Sequence, residues 1–282
     1  MKFPTVFVNH GGGPLPLIGR QPDLVKNMQH VVKNLLPKTP PSAIVVLSAH
    51  WDDSDRVSIT SSKNPSLYFD YYGFPNETYA YEYPAQGDPD LAHRIHNLLE
   101  DQGIESLLDE KRGWDHGVFV PLMLMYPAAN IPVVQVSLDS SLDAKKNIDI
   151  GKALAPLRND NVLILGSGYT FHNMAAFFNP SPNTINASRD FNKWLKSTIL
   201  VPDGSQDDPR TLYSQRLKEL QNWEKAPGAR TSHPREEHLL PLFMVAAAAG
   251  EIATPKLIYD TTAVANDGAG LSEHAVTGYL FE

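Results

Sequence analysis

The chain has 282 residues, 42% of them hydrophobic, no cysteine and a formal net charge of −8. Without cysteine there are no disulfides, thiolate nucleophiles or cysteine-ligated metal centres, and an acidic chain lacking lysine or arginine runs offers no footprint for nucleic acid or an anionic membrane. The length supports one large core, so a single domain over residues 1–282 acting on a small molecule is expected; no apolar run approaches the roughly 18 residues of a membrane span, and the expected location is the cytoplasm.

In chain order, a strand at 6–9 runs into His10-Gly11-Gly12-Gly13, and a helix at 22–36 ends at the proline-rich 37–41 segment. Strands at 43–48 and 57–60 follow, the first leading to His50. Residues 61–88 form a connection long enough to invite a functional reading; it holds Tyr68, Phe69, Tyr71, Tyr72, Phe74, Tyr79, Tyr81 and Tyr83 among prolines and glycines. Such a loop packs chiefly on its own rings, with a minority left to wall a pocket for a flat molecule. Helices at 89–102 and 119–125, a strand at 133–136, a helix at 142–157 and a strand at 162–165 come next. Helices at 188–200, 209–223 and 236–249 precede strands at 256–259 and 276–281. This alternation predicts a three-layer α/β/α domain around a central, mostly parallel or mixed sheet.

Four of the ten histidines stand where a strand-like run gives way to a turn or a helix start: His10, His50, His172 and His233. Any one of them alone is more often a hydrogen-bonded turn or core residue than a ligand. Four in equivalent places point to one crevice at the carboxyl ends of the strands, where neutral imidazoles can share a metal ion. By contrast His30, His93, His96 and His274 fall in or beside ordinary helical or strand segments and are expected to be structural or solvated.

The glycines after His10 lack the spacing and the Lys-Ser/Thr ending of a phosphate loop and suit close backbone approach to a metal site better. In Gly113-Trp114-Asp115-His116-Gly117, Asp115 serves equally well as a helix cap with His116 bonded to it, or the pair faces the crevice, where His116 donates to a bound oxygen species. In His233-Pro234-Arg235-Glu236-Glu237-His238, a helix starting near Pro234 would place His233 at its cap facing the crevice, as the preferred ligand of this segment. Glu237 or His238, one turn further on, would then orient an imidazole through its other nitrogen.

Six segments, Asn9-His10-Gly11-Gly12-Gly13-Pro14, Ser48-Ala49-His50-Trp51, Asp70-Tyr71-Tyr72-Gly73-Phe74-Pro75, Gly113-Trp114-Asp115-His116-Gly117, Gly168-Tyr169-Thr170-Phe171-His172-Asn173 and His233-Pro234-Arg235-Glu236-Glu237-His238, together resemble the DOPA-dioxygenase branch of the class III extradiol ring-cleavage dioxygenases, the LigB-like family, in order from residue 5 to about 280. The resemblance implies a non-haem enzyme that opens an ortho-dihydroxylated ring, DOPA-like or related, with O₂ to a semialdehyde, using one divalent metal ion. By position, His10 and His50 would bind the metal with His233 as third protein ligand. His172 would be the acid/base histidine or a fourth ligand, and His116 would contact substrate or oxygen. Fe(II) is expected for activity; an all-imidazole set also suits Zn(II). The rival readings are a zinc-dependent hydrolase on the same histidines, with His172 or Glu237 as base, and a binding protein without activity.

Overall fold

The computed structural model describes residues 2–53, 55–263 and 273–282. Eight strands form one mixed sheet: β1 (Thr5–Asn9), β2 (Ala43–Ser48), β3 (Val57–Thr60), β4 (Ser106–Asp109), β5 (Val133–Val136), β6 (Val162–Gly168), β7 (Pro255–Ala263) and β8 (His274–Phe281). Their order across the sheet is β4-β3-β5-β2-β6-β1-β8-β7. The central strands β5, β2, β6 and β1 run parallel, and β8 and β7 close one side antiparallel.

The strand sequences are near-continuous apolar runs because both faces are covered. In β2, Val45 and Leu47 enter the core on one face while Ile44 and Val46 enter the core on the other. In β6, Ile164 joins the first core, and Leu163 and Leu165 join the second. The first face carries α2 (Pro89–Glu100), α4 (Ala144–Leu154), α6 (Pro182–Ile199), α7 (Pro209–Gln221) and α9 (Leu240–Ala248), the second α1 (Pro22–His30) and α3 (His116–Met125), while the short α5 (Met174–Phe178) packs through Ala176 on Tyr169, Phe171 and Val276. Among the described residues no helix is long and apolar enough to cross a membrane.

Two departures from the sequence expectations bear on the site. Strand β4, four residues at the sheet edge with Leu107 exposed, carries too little pattern to be foreseen. The helix expected at 236–249 begins only at Leu240, and residues 237–239 form a turn. Proline fits the first turn of a helix, where its missing N–H costs nothing. Pro241 therefore sets the start of α9, and His233 instead ends a separate short helix, α8 (Ala229–Ser232), by donating its N–H to Ala229 O.

Candidate metal centre and active site

Strands β2, β6 and β1 are adjacent and parallel, so their carboxyl ends lie level: Asn9 pairs with Gly168 and Ser48 with Ser167. His10 directly follows β1, His50 stands two residues beyond β2, and His172 four beyond β6. His116 opens α3, which packs over the same end of the sheet. His238 arrives from the turn before α9: its carbonyl accepts from Tyr169 N at 2.8 Å. That contact needs Gly168, because a Cβ there would run into His238 O.

Five imidazoles meet here. Ring centroids of His10, His50 and His238 lie 4.9, 5.3 and 4.8 Å apart pairwise. His116 leans over His50 at 3.9 Å, and His172 stacks on His238 at 3.4 Å. One nitrogen each of His10, His50 and His116 can be chosen within 4.8 Å of one another, and the ligand atoms of His172, Glu237 and His238 make a second such group.

Every one of the five is held from behind through Nδ1. Ser167 Oγ donates to Gly117 O and so accepts from His10 Nδ1 at 3.0 Å. Asp70 takes two rings, His116 Nδ1 at 2.8 Å and His50 Nδ1 at 3.5 Å, and also accepts from His116 N at 2.9 Å. Glu237 takes the other two, His238 Nδ1 at 2.8 Å and His172 Nδ1 at 3.3 Å. With Nδ1 committed as donor in His10, His116, His172 and His238, and turned toward the Asp70 carboxylate in His50, each Nε2 is left its lone pair for the interior.

The electrostatics agree. Burial, reinforced by the neighbouring rings, pushes His10, His50 and His238 well below the usual histidine range, so these rings are neutral. Burial opposes ionisation of Asp70, yet its bonds to His116 bring it down to about 2. Burial opposes ionisation of Glu237 as well, but the bond and charge of His172, a backbone N–H and Arg235 together hold it below the usual glutamate range. Two carboxylates thus stand behind a cluster that includes three neutral rings. The Nε2 atoms of His10 and His50 stand 3.1 Å apart. Two lone pairs at that distance repel unless a cation lies between them, and two imidazoles binding one ion at about 2.1 Å and roughly a right angle have this separation. The donor set therefore fits a divalent metal.

His233 does not join the cluster. Its ring is fully buried between Phe191 and Trp223, with centroids 5.4 and 6.0 Å away, and its Nε2 bonds Thr170 O at 3.0 Å. Burial drops its pKa to about 3. In place of a third ligand from His233, the segment presents His238, five residues on. The signal available in the sequence was Pro241, since proline favours the first turn of a helix and so a start close before it. Asp115 does not cap α3 with its side chain, and His116 bonds Asp70 rather than Asp115. Asp70, a lone acid in an aromatic run, carried no separate signal for its role. The loop around it packs largely on itself: Phe69, Tyr71, Phe74 and Tyr79 contact one another and Phe119, and Tyr71 reaches 5.9 Å from His116 at the edge of the site.

This geometry can be set beside known proteins. Residues 4–271 match the family model described as the catalytic LigB subunit of aromatic ring-opening dioxygenase. The chain belongs to this LigB family of metal-dependent enzymes and is an extradiol ring-cleavage dioxygenase. It is 37% identical to dioxygenase tasH of Hapsidospora irregularis over 88% of this chain and 78% of that one. It is 36% identical to the 4,5-DOPA dioxygenase extradiol of Beta vulgaris over 91% of both. A crystal structure of an uncharacterized protein from Escherichia coli K12 superposes on it with a TM-score of 0.74 at 26% identity, over 100% of both chains.

Proposed function

We propose that the chain, acting as one catalytic domain in the cytoplasm, opens a DOPA-like catechol beside its two hydroxyls with O₂ to give a semialdehyde, using Fe(II) held by His10, His50 and His238. The observation that carries this is the common orientation of the five rings, with each Nδ1 tied back and the His10 and His50 Nε2 atoms 3.1 Å apart. His238 is preferred to His116 as the third ligand because its ring stands nearly equidistant from the other two, as three ligands on one side of an ion do, whereas His116 packs against His50. A metal held by these residues would supply Lewis-acid and redox chemistry toward a catechol and O₂.

The remaining work falls to the protein's own groups. His172, with Nδ1 on Glu237, accepts a catechol hydroxyl proton at Nε2 and later returns it to an oxygen of the opened product. The carboxylate of Glu237 stabilises the imidazolium in between, while also orienting His238. His116, with its backbone N–H and Nδ1 both on Asp70, is fixed rigidly enough to accept a hydrogen bond from a substrate hydroxyl at Nε2. Tyr71 and Phe74 wall the site on the side of the aromatic loop, which suits a flat ring. Relatives named as DOPA dioxygenases favour a catechol of that kind.

Anaerobic loading with Fe(II), followed by addition of DOPA in an oxygen electrode, tests the proposal. Stoichiometric O₂ uptake with a yellow ring-opened product is expected. Full iron occupancy with no uptake on DOPA or simple catechols would remove the DOPA-like substrate from the proposal.

A further inference from the structure

The most deeply buried acid beside the cluster takes no part in the scheme above. Asp115 is 0% exposed and stands at the start of α3, where its side chain caps nothing. Its carboxylate accepts from Ser48 Oγ at 2.7 Å and from Gln135 Nε2, and lies 3.6 Å from Arg112 Nη2. Burying a carboxylate is expensive, so a fold retains one where its bonds fix something.

What these bonds fix is the backbone that carries three of the rings. Ser48 Oγ, while donating to Asp115, accepts from His50 N at 3.2 Å. Arg112 Nη2 donates to His50 O at 2.9 Å, its guanidinium held between the rings of Trp51 and Tyr68 at 4.9 Å from each. Both peptide groups of His50 are therefore gripped by partners of one acid. On the other side Asp115 O accepts the first bonds of α3, from Val118 N at 2.9 Å and Phe119 N at 3.0 Å, which orients the adjoining His116. The next residue, Gly117, has no room for a Cβ against Ser48 Oγ, Asp115 Oδ1 and His50 Cδ2. Its carbonyl receives Ser167 Oγ, the anchor of His10.

We infer that Asp115 is a positioning residue for the metal centre, its carboxylate clamping β2 to the start of α3 so that His10, His50 and His116 keep their mutual spacing. This rests on the metal reading above. It separates Asp115 from Asp70, which touches the rings themselves.

The test uses Asp115→Asn, which keeps the volume and removes the charge facing Arg112. Gln135 Oε1, buried without a hydrogen-bond partner, can accept the new amide N–H, so the fold is expected to persist. Co(II) is the probe, read by its visible absorption bands and by competition titration, with circular dichroism as the check on folding. The expected result is a folded variant that binds Co(II) about 10- to 100-fold more weakly, with altered bands. Its kcat should fall more than its KM rises. A folded variant with wild-type affinity and bands would overturn the inference. If Asp115→Asn does not fold, Ser48→Ala decides: it removes one bond of the clamp and should weaken Co(II) binding about fivefold, and an unchanged affinity overturns the inference. A wild-type protein that takes up no Co(II) would instead sink the metal reading, and this inference with it.

Discussion

Asp70 and Glu237 each steady two imidazoles, but they reach them differently. Asp70 grips His116 across 46 positions of chain, from a loop that packs on its own aromatic rings. Glu237 is the immediate neighbour of His238, and its other partner, His172, sits on the turn after β6. The Asp70 pair also rests on regular structure, His50 just past β2 and His116 at the start of α3, while the Glu237 pair belongs entirely to connecting segments. Both rings of that second pair are drawn together by a single acid, by the close approach at Gly168 and by His172 N donating to Ser232 O at 2.9 Å. The scaffolded half suits fixed spacing of ligands, and the loop half suits a ring that must gain and lose a proton while staying near its anchor.

The largest expected effects come from the ligands. His10→Ala or His50→Ala should lower metal affinity by about a thousandfold or more, since each removes a direct bond to the ion. His238→Ala should do the same and His116→Ala should not, as read by metal analysis of the purified variants; the reverse result would make His116 the third ligand and exchange the roles of the two halves. Next comes His172→Ala, expected to reduce turnover by roughly 10²- to 10⁴-fold with metal content unchanged. Loss of metal in that variant would show His172 to be a ligand.

Exchanging the two acids sharpens the contrast further. Asp70→Asn and Glu237→Gln should each cost about 10- to 100-fold in affinity or activity, and single-turnover kinetics beside metal titration should divide them. Glu237→Gln is expected to slow the chemical step more, Asp70→Asn to weaken substrate contact through His116. The smallest effect on the site is expected of His233→Ala. It opens space between Phe191 and Trp223 and frees Thr170 O, which should cost about 2 kcal/mol of stability by denaturant titration, while metal stoichiometry remains that of the wild type.

Much of this was readable beforehand because it depends on local pattern. Strands covered on both faces run near-continuously apolar, as the bodies of β2 and β6 do and as β5 does apart from Gln135. Pro22, Pro89 and Pro209 mark helix starts that the structure keeps. The family resemblance rests on six short segments, and all six place a side chain in or beside the ring cluster. What escaped was the choice between His233 and His238. Both follow a short polar stretch, and only the late start of α9 turns one ring toward Phe191 and Trp223 and the other toward His10 and His50. Asp70 escaped for another reason: its partners lie far along the chain, and an acid among tyrosines has no periodicity to betray it.

The sequence by itself determined the layered α/β architecture, the cysteine-free donor set and the histidines that end β1, β2 and β6, because each follows from residue type and short-range spacing. Only the tertiary structure decided which imidazoles share a centre, which nitrogen of each faces it and which acids stand behind them. Those depend on the level ends of parallel strands and on backbone approaches of a few ångströms between segments up to about 230 residues apart, such as His10 and His238, and no local pattern carries that distance.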